Sequence, residues 1–321
     1  MPWTWFLPVC VAKRSSRVAT RSAQRRASEV FNLSHFRFPS NLLEQGRKSV
    51  QEALSQSSDS HIYLVRSFGR SSSFREMTCG QLEQLLPNLN SCRLVLAADD
   101  PELHTYSANA GPWGSRIIMG VKGAERQIAF IDQISPPGTS LMIFDDNILK
   151  FMDCGKTLET DLPDLIRLGF SEMHGAKAKI WSGSDSPNPA HWSADADIGM
   201  GLVYGACFGM VATHEESRYS RYGQVMDDIE RSCRFYEHDG ATVRLGRLQV
   251  YKRHAPGIYH KSKGGISASL SAEEFKSEAL AARLALLKRF PQLLEATDTK
   301  LGIQFKHDAE RRKTRSSAFI L

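Results

Sequence analysis

The chain of 321 residues predicts an α/β protein built on a mostly parallel sheet with helices on both faces. Three observations carry this. Short aliphatic runs alternate with helix-like segments between His61 and Ile148, the order that βαβ units leave in a sequence. The run LMIFDDNI, Leu141 to Ile148, is apolar up to a polar end, as in a strand buried on both faces. The apolar fraction of 41% supplies a substantial core.

The elements follow in order. Residues 1–30 stand apart: MPWTWFLPVCV precedes KRSSRVATRSAQRR, and no acid occurs before Glu29. A secretory signal has its charges before the apolar part, so this order excludes one. A transit peptide, a disordered basic arm and an ordered helix stay open, and with them a nuclear, cytoplasmic or organellar location. One folded unit is expected over 31–275, divided near 150, with a helix and basic tail over 276–321. Ser40–Leu54 has helical apolar spacing. HIYLVRS, His61–Ser67, reads as a strand, and FGRSSSF as the Gly- and Ser-rich turn after it. Arg66 and Arg70 in this region suit a diphosphate or a uracil-type base. G-x-G-x-x-G is absent, which excludes the usual dinucleotide fingerprint. Cys79–Leu89 reads as a helix with Thr78 as N-cap, Arg93–Ala97 as a strand, Ser115–Val121 as another, and KGAERQIAFIDQI as a helix before LMIF.

Asp145, Asp146 and Asn147 close that strand. Two carboxylates and an amide oxygen on a short segment suit Mg²⁺ or Mn²⁺ bridged to phosphates. A helix is expected over Leu162–Gly169, a long loop over Ser182–Gly199, strand character over Met200–His214 with glycines for close approach, and a helix over Tyr222–Gly240. Asp227 and Asp228 fall in the first turn of that helix, where negative charge suits the dipole. ATVRLGRLQVYKR is strand-like and basic, GIYHKSKGGI a Gly- and Lys-rich loop, and Ser271 caps a last helix.

The formal charge of +6 admits an anionic partner without choosing one. Six cysteines lack C-x-x-C spacing, which excludes that zinc or redox pattern and favours buried thiols in a reducing compartment. No apolar run reaches the roughly 18 residues of a membrane span. Arg244, Arg247, Lys252, Arg253, Lys261 and Lys263 concentrate in one third of the chain and suit phosphate tracking, with Tyr204, Phe208 or Trp192 as stacking surfaces.

The arginine turn, the acidic strand end, the later acidic helix and the His–Lys–Gly–Gly loop occur in an order that resembles the GT-A glycosyltransferase fold, a Rossmann-like arrangement. HIYLVRSFGR, ERQIAF before IFDDNI, YGACFGM, and VMDDIERSCRFYEHDG followed by KGGI resemble the TET/JBP-associated glycosyltransferase family and its GREB-like relatives over roughly residues 60–270. The resemblance implies transfer of a sugar from a nucleotide sugar, with UDP-glucose as the model donor, to a hydroxymethylated pyrimidine such as 5-hydroxymethylcytosine in DNA. A protein hydroxyl as acceptor, or a silent binding module, are the other readings. It implies that Arg66 and Arg70 contact the base or diphosphate and that Arg126 faces the diphosphate. Asp145 would touch the ribose or a metal-bound water, and Asp146 or Asn147 would hold Mn²⁺ or Mg²⁺, with His260 completing the shell. Asp228 would be the general base, with Asp227 and Glu230 as near alternatives. Asn147 departs from the family's third Asp.

Overall fold

The computed structural model describes residues 36–57, 61–184, 195–252, 264–265, 270–298 and 302–306. The expectations placed on residues 1–30, Trp192, Arg253, His260, Lys261 and Lys263 lie outside the described residues. The helices are α1 (Ser40–Gln56), α2 (Thr78–Leu85), α3 (Leu103–Asn109), α4 (Ala124–Ile134), α5 (Leu162–Gly175), α6 (Asp227–Asp239) and α7 (Ala272–Arg289). The strands are β1 (His61–Ser67), β2 (Cys92–Ala97), β3 (Ile117–Gly120), β4 (Ser140–Asp145), β5 (Ile148–Asp153), β6 (Lys156–Thr157), β7 (Ile180–Ser184), β8 (Ala196–Gly199), β9 (Cys207–Val211), β10 (Thr242–Lys252), β11 (Leu294–Ala296) and β12 (Ile303–Phe305).

Among the described residues, one sheet runs in the order β3-β2-β1-β4-β9-β7-β10-β5-β6, with β8 paired to β10. The β3-β2-β1-β4 block is parallel throughout. β9 lies antiparallel to both β4 and β7, and β10 is parallel to β7 but antiparallel to β5 and β8. The α/β class is therefore observed, with its parallel part in the N-terminal half.

Both faces of the parallel block are covered, which is why its strands read as continuous apolar runs. Successive strand side chains point to opposite faces. Tyr63, Val65, Leu94, Leu96, Met142 and Phe144 accordingly join one cluster with residues of α2, α3 and α5. Ile62, Leu64, Val95, Leu141 and Ile143 join the other, with α1 and α4. A third cluster packs α7 and the β11–β12 pair onto α6 through Cys233, Leu286, Phe290 and Phe305. The capping box expected at Ser271 is present: Ser271 N donates to Glu274 Oε2 at 2.8 Å, and Glu274 N donates to Ser271 Oγ at 3.3 Å.

The sheet curls. β4 and β5 are four places apart in the strand order, about 19 Å in a flat sheet at ~4.8 Å per strand. Yet three residue steps join Asp145 to Ile148, a reach of about 11 Å at most. Phe144 and Phe151 accordingly meet edge to face with centroids 5.5 Å apart. Trp181, fully buried on β7, packs tightly against α5 and the neighbouring strand β9. A Cβ at Gly169 would lie 2.5 Å from its ring, and one at Gly209 2.0 Å from its Nε1. The second glycine of YGACFGM thus serves close approach, as expected.

Several expected elements change. The helix predicted from Tyr222 starts at Asp227, because Gly223 (φ +98°) and Met226 (φ +69°) hold the preceding backbone in left-handed conformations. Strand structure in the 200–214 stretch is confined to Cys207–Val211. The predicted loop from Ser182 contains the end of β7 and all of β8. Helix α3 and strands β5 and β7 have no counterpart in the sequence reading. Cys79, Cys92, Cys207 and Cys233 are free and buried, and Cys154 is free and exposed. No helix among the described residues is long and apolar enough to cross a membrane.

Candidate active site

The site forms where β1 and β4 end side by side, Arg66 opposite Asp145 in register. That is the carboxyl edge of parallel strands, where open α/β sheets bind ligands. Arg66 Nη2 donates to Asp145 Oδ1 at 2.6 Å and to the Gly205 carbonyl at 3.2 Å. Its Nη1 donates to the Ala124 carbonyl at 3.2 Å. Its Nε is buried and has no partner. Lys252, at the end of β10, donates to Asp145 Oδ2 at 3.0 Å. Burial would raise the Asp145 carboxyl, but Lys252 and Arg66 outweigh it and hold the group at about 2.

Asp146 is buried. Arg70 pairs with its Oδ1, and Ser67 Oγ donates to its Oδ2 at 2.5 Å. Burial opposes the charge of Arg70, but Asp146 more than compensates, so the guanidinium is raised above its ordinary value. Tyr106 of α3 continues the network, its hydroxyl 2.5 Å from Ser67 Oγ and accepting from Arg70 N at 2.8 Å. The turn itself is clamped by Thr78. Its hydroxyl donates to the Asp145 carbonyl at 2.6 Å and accepts from Ile148 N at 2.8 Å. Thr78 is therefore not the N-cap expected: α2 has no side-chain cap, because this hydroxyl is committed to the acidic turn.

The first turn of α6 approaches from the acceptor side through Gly205. A Cβ there would lie 3.3 Å from Arg231 Nη2 and 3.5 Å from Asp228 Cβ, so the first glycine of YGACFGM admits both side chains. Asp228 is half-buried and accepts from Ile229 N at 2.9 Å. Its carboxyl is raised to about 6, first by burial and then by Asp227, against the pull of Arg231 and Lys252. Lys252 thus acts electrostatically on both Asp145 and Asp228, linking the two acidic clusters that the sequence singled out.

Other expected residues have different duties. Glu230 is buried, pairs with Arg234 Nε at 2.7 Å, and accepts from Arg221 N and Tyr222 N at 2.8 Å each. It orders the segment before α6 and cannot serve as the base. Asp227 Oδ2 is held by Arg231 at 2.7 Å. Arg126 lies over the Phe38 ring at 5.8 Å. Phe208 is fully buried under the Arg231 guanidinium at 4.3 Å, so it offers no base-stacking surface. Arg244 pairs with Asp197 at 2.7 Å and Arg247 with Asp153 at 2.5 Å.

The divalent ion implied by the family resemblance does not fit these residues. Such an ion needs several oxygens at about 2.1 Å. All four carboxylate oxygens of Asp145 and Asp146 already accept from Arg66, Lys252, Arg70 or Ser67. Asn147 Oδ1 is a buried side-chain acceptor with no partner among the described residues. No group of three or more His, Cys, Asp or Glu side chains among the described residues is placed to hold a metal.

Thr78, Ser67, Tyr106, Gly205 and Arg231 escaped the sequence reading as site residues. Only Arg231 left a signal, standing four residues after Asp227 on one helix face.

No protein-family model and no curated protein matches the chain, so the comparisons lend the TET/JBP-associated resemblance no support. Solved structures do resemble it in part. Residues 1–349 of S. aureus TarS with UDP-GlcNAc share 12% identity over 71% of this chain and 66% of that one, at a TM-score of 0.45. The Pyrobaculum calidifontis mannosyltransferase PcManGT, with GDP-Man and Mn²⁺, shares 10% identity over 93% and 92%, at 0.44. A mycobacterial protein shares 10% over 80% and 87%, at 0.45. Likeness at this level assigns no activity; the class rests on the sheet topology and the strand-end site described above.

Proposed function

We propose that this chain is a glycosyltransferase that takes a sugar from a nucleotide-sugar donor and passes it to an acceptor hydroxyl. One observation carries the reading: the cation-lined strand end includes Lys252, which pairs with Asp145 and also acts electrostatically on the carboxylate of Asp228. The strand end suits a diphosphate leaving group, since arginine forks and a lysine point charge are the usual phosphate binders. Asp228 suits proton removal. A base works best when its pKa lies near the operating pH, and about 6 is close enough to be mostly ionised at neutrality yet basic enough to accept a proton.

In the reaction, the acceptor oxygen attacks the anomeric carbon and its proton passes to Asp228. The bond from that carbon to the diphosphate oxygen breaks, and the electron pair leaves with the diphosphate. Attack and departure on opposite faces invert the anomeric centre. Asp145 and Asp146 hold the cations in place throughout.

Phe208, one of the residues expected to stack on a base, is fully buried, which favours a protein hydroxyl over a hydroxymethylated base in DNA as acceptor. Calorimetry with UDP-GlcNAc, UDP-glucose and GDP-mannose tests the donor. Mass spectrometry of a protein panel beside hydroxymethylated DNA tests the acceptor. Saturable binding of a nucleotide sugar with sugar transfer to protein is the expected result. Binding without transfer to any acceptor would point to a silent module, and modified DNA would reverse the choice of acceptor.

A further inference from the structure

We infer that the diphosphate of the donor is held by the chain's own cations, Arg66, Arg70 and Lys252, in the role that a divalent metal would otherwise fill. This rests on the nucleotide-sugar reading above and goes further, by naming what neutralises the leaving group.

The three cations come from separate segments: the end of β1, the turn after it, and the end of β10. They converge on two adjacent carboxylates, with side chains 8%, 12% and 19% exposed. Charges so poorly hydrated are retained only where partners fix them. Here the partners are the aspartates and the carbonyls of Ala124, Gly205 and Gly264. Three cations meet the two carboxylates of the acidic turn, and Lys252 is shared electrostatically with Asp228. Arg66 Nε, buried and without an acceptor, is a donor that the protein leaves unspent. An incoming phosphate oxygen satisfies it, whereas a metal ion cannot. The carboxylates then have a defined duty. They are not metal ligands but the anchors that preorganise three cations before the donor arrives, so that neutralising the leaving group needs no reorganisation at the moment of reaction.

The experiment is titration calorimetry of the full chain with UDP and with GDP, once in excess EDTA and once with added MnCl₂. Binding of at least one of them with affinities agreeing within about twofold in the two conditions is expected. Lys252→Gln should weaken binding by about 10–100-fold in both, the range for a lost charge-assisted hydrogen bond, with Lys252→Arg restoring much of it. Melting curves confirm that each variant is folded. Binding that needs Mn²⁺ and vanishes in EDTA would overturn the inference while leaving the donor reading intact. Metal-independent binding that Lys252→Gln leaves unchanged in a folded variant would overturn it as well. No binding of any nucleoside diphosphate or nucleotide sugar in either condition would overturn the donor reading, and the inference with it.

Discussion

At the scale of single residues, two aspartates of the same site are driven in opposite directions. Burial acts on both. Asp145 has two cations within 3.0 Å, and they win. Asp228 has Asp227 as its neighbour, and burial wins. The consequences for pH have opposite signs. Asp145, lowered to about 2, contributes stability that is present above its unfolded value and lost as pH falls toward 2. Asp228, raised to about 6, favours the folded state while protonated; that contribution fades as pH rises from its unfolded value through 6, and above 6 the ionised carboxylate costs stability. Asp228→Asn is therefore expected to raise the melting temperature at pH 8 and to leave it nearly unchanged at about pH 4, where the native side chain is already neutral. The same variant should lose 10²–10⁴-fold in turnover, the usual loss for a missing general base, with donor affinity kept. In the native protein kcat/KM should rise with pH through about 6 as the base ionises. A pH-rate profile and melts at the two pH values check these together. Retained turnover in the variant would move the base elsewhere.

At the scale of elements, the strand end owes its shape to a residue that carries no charge. Thr78 starts α2 and ties both sides of the acidic turn, at Asp145 O and Ile148 N. Thr78→Val keeps the side-chain volume but removes one donor and one acceptor at a fully buried position. The expected loss is about 2–3 kcal/mol in stability and a weaker donor affinity as the carboxylates lose register. Denaturant melts and donor titration measure the two effects. A stability loss without any change in donor affinity would show that the turn is held by other contacts. Thr78 also shows where sequence reading ends. A Thr before a helical run is read as a cap, and nothing local shows that a turn some 70 positions later competes for the same hydroxyl. β1 and the polar end of β4 were legible because strands buried on both faces leave unbroken apolar runs ending in charge. Asp228 was legible from its place in a first helical turn. Lys252 was visible only as one of several basic residues, since its place beside Asp145 depends on the curl of the sheet.

At the scale of the whole molecule, the N-terminal and C-terminal halves are fastened at both ends of β4. The carboxyl end carries the contacts of Arg66 with Gly205 and of Lys252 with Asp145. The opposite end carries Asp132 of α4, fully buried. Its carboxylate accepts from Thr213 N at 2.7 Å, His214 N at 2.8 Å and the Tyr219 hydroxyl at 2.6 Å. These donors hold the loop after β9 against α4, with His214 in a left-handed conformation (φ +57°) and its Nε2 2.7 Å from the Ser135 carbonyl. Six residues of β4 separate this fastening from Asp145, about 17 Å at strand spacing. Asp132→Asn replaces one acceptor oxygen by an amide donor facing donors, and removes the charge that strengthens the remaining bonds. The expected cost is about 3 kcal/mol, or roughly 4–5 °C in melting temperature for a chain of this size. Donor affinity and turnover of the folded variant should stay near native, because the strand end keeps its own clamp at Thr78 and its own ion pairs. The check is a thermal melt beside donor calorimetry well below the variant's melting point. A variant that melts normally but binds donor poorly would mean that the far end of β4 acts on the site, and that the two fastenings form one coupled unit.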